Sequence, residues 1–312
     1  MKNVHLLFLL CAVAQLASSF PLEGLNHLGV GFDVIQGRPK IPIVQYTFDS
    51  KSSWYNPFTH QRTETPDEVS VSVSASFRKQ VVAFSGVTAY TQALANASAV
   101  ESYYTDVAFS SSGQAVQFQQ LFFAEEVVLI QVTSQYVLYT IQLFPAEVVQ
   151  TNALMQAAED NLPEKYDENS YFQMLETYGT HVVVEVALGG QAVLQTFANS
   201  TALGVKGALA AQQVAYAATV NVSQAAAGQI QSLAEGLQQG SVLFEQFAVD
   251  GGLAETVNQN QTEWLHSVKQ VPTVVSYRLK PISDFLKNTE KKANMQKAHV
   301  LYAEKLKNKD KK

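Results

Sequence analysis

The stretch YGTHVVVEVALGG, from Tyr178 to Gly190, restricts the possible folds more than any other part of this 312-residue sequence. Its valines are β-branched and predict a strand that packs firmly in a core. The strand nevertheless ends in two adjacent glycines, which weaken a strand interior because they have no side chain to pack. A carboxylate, Glu185, also interrupts the apolar run. Any fold for this chain has to accommodate both the paired glycines and the acid.

The N-terminus predicts a signal peptide over residues 1–19. Lys2 supplies the positive charge, VHLLFLLCAVAQLA is an apolar core too short to span a bilayer, and ASSF provides small residues for cleavage after Ser19. The only cysteine, Cys11, lies inside this segment, so the mature chain is expected to fold without disulfides. No later window has eighteen uninterrupted apolar residues, and we expect a protein that is soluble as made.

Four Asn-X-Ser/Thr sequons could carry glycans in a secreted protein. They begin at Asn96, Asn199, Asn221 and Asn260.

Charge is sparse and unevenly placed. From Phe20 to Leu286 the chain has 11 Lys and Arg against 24 Asp and Glu, whereas residues 287–312 have nine Lys against three acids. The acidic body is unlike a nucleic-acid surface. The basic tail is expected to be helical, and two interpretations stay open: it contacts an acidic partner, either anionic lipid or the body itself, or it is a frayed and solvated helix.

Strand signals are long. EVSVSVSASF, from Glu68 to Phe77, alternates apolar residues with serine, and a second run extends from about Glu126 to Phe144. The opening stretch is the third, and SVLFEQFAV, from Ser241, is the fourth. Strands longer than the usual five or six residues, joined by long insertions, predict one large antiparallel sheet carrying accessory helices.

A helical region broken by Pro163 lies between the second and third strands. Its second helix is predicted to start at Ser170, with Gln173 as the capping-box partner. The same helix is predicted to stop at Tyr178 and Gly179.

Two segments fit neither pattern well: Lys79 to Gln117 and Asn199 to Gly240. The second has only two charges in 42 residues, Lys206 and Glu235. Its Ala and Gln favour helix, yet part of it also alternates as a strand would. One face of that strand would carry Val214, Tyr216, Ala218, Val220 and Val222. On the residues alone, a plain half-buried strand in a stable protein is the simpler interpretation of this alternation.

These residues resemble a known family. Tyr178, Gly179, Thr180 and His181, followed by a short strand and then Gly189 and Gly190, are similar to the signature of the membrane-attack-complex/perforin (MACPF) domain. LGVGFDVIQGRP, near the start, and EWLHSVKQVPTVVSYRLKPISDFL, from Glu263 to Leu286, are similar to the segments that open and close that domain. The resemblance implies a MACPF domain over residues 20–286, followed by the basic tail 287–312.

The resemblance implies an α+β fold of the MACPF/cholesterol-dependent-cytolysin type: a bent four-stranded antiparallel sheet flanked by two helical clusters. It assigns residues 79–117 and 199–240 to these clusters, each of which would refold into an amphipathic β-hairpin in a membrane. The expected membrane-inserting residues are Val214, Tyr216, Ala218, Val220 and Val222, together with Phe84 and Tyr90. A barrel strand needs about 9–11 residues per crossing, and the second segment is long enough for two crossings.

The resemblance also accounts for the opening stretch. Gly189 and Gly190 would lie where the sheet bends sharply or flexes, because residues without Cβ tolerate such a site. Glu185 would then face solvent or a neighbouring subunit.

Catalysis has little support. His181, beside Thr180 and Gly179, is best interpreted as a structural hydrogen-bonding residue, since no second histidine or acid lies at metal-binding spacing. GVGFDV, from Gly29, lacks the final glycine of a dinucleotide-binding loop, and AFSGV lacks the first glycine of a nucleophile elbow. We expect no catalytic residue, metal or cofactor.

Two functional classes follow. The first is a secreted pore-former that binds target membrane lipids, assembles into a homo-oligomeric ring and inserts a β-barrel. Because no membrane-binding domain is evident after Leu286, a separate docking protein could be required. The second is a non-lytic secreted MACPF protein that acts in binding, signalling or attachment.

Overall fold

The structure, a computed structural model, describes residues 22–124, 127–199, 242–257 and 261–309. Four long strands form the centre of one antiparallel sheet: β5 (Val69–Phe84), β6 (Val127–Leu143), β7 (His181–Asn199) and β8 (Val242–Asp250). They pair in chain order, β5 with β6, β6 with β7 and β7 with β8. These are the four predicted strands, and the α+β fold with a large antiparallel sheet is confirmed.

Shorter strands extend this sheet at its lower end, where β7 begins. β9 (Thr273–Pro281) pairs with the first half of β7, on the edge that β8 occupies farther along. β1 (Val30–Asp33) pairs with the first two residues of β7 and with β2 (Arg38–Pro42). A separate hairpin of β3 (Ser53–Tyr55) and β4 (Arg62–Glu64) packs Trp54 against Tyr139 of β6, with ring centroids 4.7 Å apart.

Seven α-helices lie within the described residues. α1 (Val87–Ala97) and α2 (Gly113–Ala124) connect β5 to β6, and α3 (Ala153–Asn161) and α4 (Glu168–Tyr178) precede β7. α5 (Ala254–Val257) and α6 (Gln261–Val268) lie between β8 and β9. A 3₁₀ turn (Ile282–Phe285) then leads to α7 (Thr289–Lys309).

The predicted start of α4 is wrong by one turn, whereas its end is right. Asp167 is the N-cap, and its carboxylate accepts a hydrogen bond from the backbone N–H of Ser170 at 2.9 Å. Ser170 lies inside the first turn because aspartate, too, is a favoured N-cap and stands three residues earlier. Tyr178 is the last helical residue and Gly179 follows it with φ 97°.

The first helical cluster differs in its bounds from the predicted segment 79–117. Residues 79–84 continue β5 and pair with β6 as far as Phe84 and Leu129, and α2 extends to Ala124. Pairing with a neighbouring strand, which the local sequence does not encode, extends β5. We call residues 85–126 the first insert.

The second predicted segment, 199–240, lies outside the described residues except for Asn199, which ends β7. Val214, Tyr216, Ala218, Val220 and Val222 are therefore not placed. Of the sequons, Asn96 is exposed on α1, whereas Asn221 and Asn260 also lie outside the described residues.

The sheet is strongly bent. Leu129 of β6 pairs with Phe84 on one side and with Phe197 of β7 on the other, so Phe84 lies level with Phe197. Ser98 lies level with Val183, because its carbonyl accepts a hydrogen bond from the N–H of Leu279, which pairs with Val183. From Val183 to Phe197 the strand contour measures about 46 Å at about 3.3 Å per residue. The chain from Phe84 to Ser98 includes the 11 residues of α1 and reaches only about 27 Å at about 1.5 Å per helical residue. Since this short chain connects the two levels, the first insert crosses the concave side of a curved sheet.

The basic C-terminal segment is a packed helix and not a frayed one over Thr289–Lys309. Met295, Ala298 and His299 of α7 are fully buried. Lys292 lies 3.8 Å from Asp284, Lys305 lies 3.3 Å from Glu168, and Lys307 pairs with Asp106. The acidic partner of these lysines is the body of the protein itself.

Candidate functional site

The signature residues lie at the junction between α4 and β7, directly against β1. A Cβ on Gly179 would lie 2.7 Å from the backbone nitrogen of Phe32, and the φ of 97° also favours glycine. The Thr180 hydroxyl accepts a hydrogen bond from the N–H of Val34 at 3.2 Å and donates one to the carbonyl of Phe32 at 3.3 Å. The Tyr178 hydroxyl donates to the carbonyl of Leu154 at 3.2 Å. The junction therefore joins α4, β1 and β7 through close backbone packing at Gly179 and through side-chain hydrogen bonds to the backbone.

His181 connects this junction to the first insert. Its side chain is fully buried, with Nδ1 2.9 Å from the Thr180 hydroxyl and Nε2 2.6 Å from a carboxylate oxygen of Glu101. Glu101 belongs to the loop between α1 and α2, and its side chain is 28% exposed. The predicted structural role of His181 agrees with these contacts, which join two segments 80 residues apart.

A second buried histidine, His299 of α7, completes the cluster. Its Nδ1 lies 3.0 Å from the Tyr104 hydroxyl, and the His181 and His299 ring centroids are 6.1 Å apart. Its Nε2 has no hydrogen-bond partner among the residues that the structure describes. Burial, together with the nearby His181, lowers the pKa of His299 to about 3, because charging a desolvated imidazole is unfavourable. His299 is therefore neutral at pH 7.

The loop 98–112 is attached to the body at several further points. The Ser111 N–H donates to the carbonyl of Ile35 at 3.0 Å, and the Phe109 N–H donates to that of Val34. At the other end of the loop, the carbonyl of Ser98 accepts from the Leu279 N–H at 2.9 Å. We call residues 98–112 the tether loop, because the β1–β2 turn, β7, β9 and α7 all hold it.

Helices α1 and α2 share a small apolar cluster with the upper end of the sheet. Its buried members are Phe84, Tyr90, Phe118, Val127, Leu129 and Phe197. Tyr90 makes edge contacts with Phe84 and Phe118, with centroids 5.3 Å and 4.9 Å away, and its hydroxyl lies 3.1 Å from Gln114. Phe84 and Tyr90, predicted to insert into membrane, are thus buried in this state.

Register shifts occur on neighbouring strands at one level of the sheet. The β5–β6 pairing shifts between Val73 and Ser76, and the β6–β7 pairing shifts between Val137 and Tyr139. The β7–β9 pairing shifts at the same level, between Ala187 and Leu188. Each shift leaves an extra residue in one strand and bends it. We call this level, marked by Ala75, Leu138 and Gly189, the bend line.

The glycine pair lies on the bend line, but for a reason that differs from the predicted one. Neither glycine has a positive φ, so backbone strain is not the cause. A Cβ on Gly189 would lie 1.8 Å from the carbonyl oxygen of Tyr136. A Cβ on Gly190 would lie 2.5 Å from Val268 and 3.2 Å from Trp264, both on α6. Close approach of a neighbouring strand and of a helix therefore excludes side chains here.

Glu185 does not lie in the core. Its carboxylate is 3.5 Å from the guanidinium of Arg278 on β9, and the two side chains are 23% and 59% exposed. A pair this exposed contributes little to stability.

The described residues include no group of three or more side chains arranged to hold a metal ion. Within the same ranges, no helix combines the length and hydropathy needed to cross a membrane.

Sequence reasoning missed Glu101, Tyr104 and His299, the residues that surround His181. A single acid within ESYY and a single histidine within a lysine-rich helix carry no local signal. Only their contacts with His181 and with each other in the folded structure identify them as members of this cluster.

Comparisons with known proteins agree with this architecture. Residues 18–310 match the MAC/Perforin domain family. The Perivitellin-2 67 kDa subunits of Pomacea maculata and Pomacea canaliculata are each 22% identical over 298 residues, and the match covers 89% of this chain and 51% of theirs. The chain therefore spans about half the length of these curated relatives.

Two solved structures have a similar fold. GNIP1Aa from Chromobacterium piscinae superposes with a TM-score of 0.69 at 14% identity, covering 90% of this chain and 56% of that one. A putative cell invasion protein with a MAC/Perforin domain from Bacteroides thetaiotaomicron superposes with a TM-score of 0.53 at 13% identity, covering 88% and 59%. The match of the family to nearly the whole sequence, with the signature at the junction of α4 and β7, establishes that this chain belongs to the MAC/Perforin domain family.

Proposed function

We propose that this is a secreted pore-forming protein that binds a target membrane as a soluble monomer, assembles there into a homo-oligomeric ring and inserts β-hairpins. The first insert and the segment 199–240 would each supply one hairpin per subunit. The observation that carries the proposal is the position of the first insert, between two long strands that are already paired.

Refolding of the first insert would extend an existing hairpin. β5 and β6 have 16 and 17 residues and pair up to Phe84 and Leu129, where the insert begins. Continuing this pairing would convert α1 and α2 into two further strands without changing the register below them. A closed barrel of such strands satisfies every backbone group inside a bilayer.

Charge placement in the first insert supports this refolding. Between Val87 and Ala124 only Glu101 and Asp106 are charged. Residues 87–100 and 107–124 form two uncharged arms, each longer than the roughly 9–11 residues that cross a bilayer. In a hairpin both acids would fall at the tip, where they would reach water on the far side. Phe118, released from the buried cluster around Tyr90, would supply an apolar side chain for the lipid.

The edge of the sheet supports assembly. Among the described residues β5 pairs with β6 alone, and its residues from Ser72 to Arg78 are exposed. An unpaired strand edge is a template for another chain. A neighbouring subunit would pair here and close a ring.

We propose that docking on the membrane uses target lipids and a separate docking protein. We also propose a signal peptide over residues 1–19 and glycosylation at Asn96, Asn199, Asn221 and Asn260. A glycan on exposed Asn96 would oppose insertion of the first arm, because a sugar does not cross hydrocarbon. Its presence would favour a non-lytic role in binding or attachment.

Liposome leakage, followed by imaging of the lipid-bound protein, tests the proposed function. The mature protein is expected to release a trapped dye from vesicles and to form rings. Lipid binding without leakage or rings, across neutral and anionic vesicles, would contradict pore formation and favour the non-lytic alternative.

A matched pair of lysine substitutions tests the hairpin. Val116 and Gln117 are adjacent and exposed on α2, so Val116→Lys and Gln117→Lys should each fold normally. In a strand their side chains point to opposite faces, and Val116 shares its face with Phe118. A lysine that faces lipid near the midplane costs about 2–4 kcal/mol. We expect Val116→Lys to abolish most leakage and Gln117→Lys to change mainly ion selectivity. Equal effects would argue against a strand.

A further inference from the structure

We propose that His181 and His299, with Glu101 and Tyr104, form an acid-released latch that holds the tether loop against the sheet and α7. The role of the latch as a trigger for insertion rests on the proposed function. The opening of the latch is independent of that function, and it can be measured without lipid.

The latch joins three parts of the chain that refolding must separate. Glu101 and Tyr104 come from the tether loop, His181 from β7 and His299 from α7. The rings of Tyr104, His181 and His299 form a triangle, and the Tyr104 centroid is 5.4 Å from that of His181 and 5.7 Å from that of His299. Tyr103, from the same loop, also lies near His299, with ring centroids 6.5 Å apart. The first insert cannot leave the sheet unless these contacts break, and their loss would expose His299 to water.

A proton on His299 has no counter-charge in the closed latch. Glu101 is bound to His181, Asp33 lies 3.3 Å from Lys40, and Asp284 lies 3.8 Å from Lys292. Tyr103, Tyr104 and Tyr302 supply only neutral hydroxyls near pH 7. Of the two ring nitrogens, Nδ1 faces Tyr104, while Nε2 has no partner within the described ranges. Protonation would therefore place an unpaired charge in a buried site, which strongly disfavours the closed state.

The tether loop is also held in a strained conformation. Ala99 and Phe109, near its two ends, have φ values of 60° and 59°, a region that residues with a side chain rarely adopt. Opening would relieve this strain. The closed state is thus maintained by its contacts, and weakening one contact should shift the equilibrium.

The expected pH dependence follows from the two states of His299. In the closed latch its pKa is lowered to about 3, whereas an exposed histidine titrates near 6.5. Between these values the open state binds a proton that the closed state does not. Opening should therefore become about 50-fold more favourable from pH 6.5 to 4.5, with a slope that approaches tenfold per pH unit well below 6.5.

Hydrogen exchange on the full mature protein in solution tests this inference. Protection factors, corrected for the intrinsic exchange rate at each pH, should fall about 50-fold across residues 98–112 between pH 6.5 and 4.5. Peptides from β6 should keep their protection. Unchanged protection of the tether loop over this range would overturn the latch.

Two variants separate titration from packing. His299→Asn keeps an acceptor for the Tyr104 hydroxyl but cannot be protonated, so the protection of the loop should become independent of pH. Tyr104→Phe removes the hydrogen bond but keeps His299, so protection should be lower at every pH with the same slope. A pH slope retained in His299→Asn would contradict the proposal. Should that variant misfold, an NMR titration of the wild type decides, since a His299 pKa near 6.5 in the folded protein would also contradict it.

Leakage at pH 7.5 and pH 5 separates the latch from the proposed function. Faster leakage at pH 5, lost in His299→Asn, supports the latch as a trigger. Loop opening at acid pH without any leakage would leave the latch intact and refute pore formation. Leakage that does not depend on pH would support pore formation and refute the trigger.

Discussion

At the scale of residues, Gly189 and Gly190 are adjacent yet face different obstacles. The space for a Cβ at Gly189 is occupied by a backbone carbonyl, that of Tyr136, whereas at Gly190 it is occupied by the side chain of Val268. A backbone atom in a paired strand cannot move without changing the register, but a side chain can be shortened. The two positions should therefore respond differently to the same substitution.

Alanine at Gly189 should be far more damaging than alanine at Gly190. We expect Gly189→Ala to destabilise by about 3 kcal/mol or more and Gly190→Ala by about 1–3 kcal/mol, because overpacking forces neighbours to shift. Val268→Ala should partly rescue Gly190→Ala, with a coupling of about 0.5–3 kcal/mol, and should not rescue Gly189→Ala. Urea unfolding of the three single variants and the two double variants measures these effects.

Gly113 is the matched control, because a Cβ there meets nothing within 4 Å and the residue begins α2. Gly113→Ala should be neutral or stabilise by up to about 1 kcal/mol. Equal losses at positions 113, 189 and 190 would mean that the close approaches are incidental.

At the scale of elements, α7 shows how a basic helix can belong to an acidic body. Lys291 is buried, and its ammonium donates to the carbonyls of Glu159 and Asp160, near the end of α3, at 2.9 Å and 3.2 Å. The buried Glu159 carboxylate accepts from the N–H groups of Lys287 and Asn288, both at 2.7 Å. Each helix thus satisfies terminal backbone groups of the other.

Two lysines on α7 should differ in their contribution to stability. Lys291→Met leaves the α3 carbonyls without a donor and should cost about 1–3 kcal/mol at any salt concentration. Lys305→Met removes a half-exposed pair with Glu168 and should cost about 1 kcal/mol or less, decreasing as salt is added. Unfolding at 0.05 M and 1 M NaCl compares them. Similar losses for both variants would show that α7 is held by general attraction to the body.

At the scale of the whole molecule, activity as proposed requires the first insert to leave the concave side of the sheet. A covalent link between the insert and the body should prevent this. A Cβ built on Gly37, in the β1–β2 turn, lies 3.0 Å from the Cβ of Ser112 at the end of the tether loop. A disulfide needs about 3.5–4.5 Å between these atoms, so the turn and the loop would have to separate by about 0.5–1 Å. The mature chain is expected to contain no competing thiol.

The double variant Gly37→Cys/Ser112→Cys should be inactive when oxidised and regain leakage on reduction. Gly37 has φ 65°, so cysteine there should cost about 1–2 kcal/mol, which the disulfide offsets. Ser112→Cys alone should leak normally with or without reductant. Full leakage by the oxidised double variant would show that the insert can act without separating from β1.

The sequence alone determined those features that local patterns encode. Alternation from Glu68 predicts a strand, because side chains of a strand point to opposite faces in turn. Gly179 predicts the end of α4, since only glycine readily adopts the required φ. The signature from Tyr178 to Gly190 identifies the family, and with it the bent sheet.

Only the tertiary structure decided which distant residues meet. His181 contacts Glu101, which is 80 residues away in the sequence, and Tyr104 contacts His299, which is 195 residues away. Pairing with β6 carries β5 on to Phe84, and burial against the body converts the basic tail into a packed helix. The physical reason is that periodicity records which face of an element is buried, whereas the partner buried against it depends on how the whole chain packs.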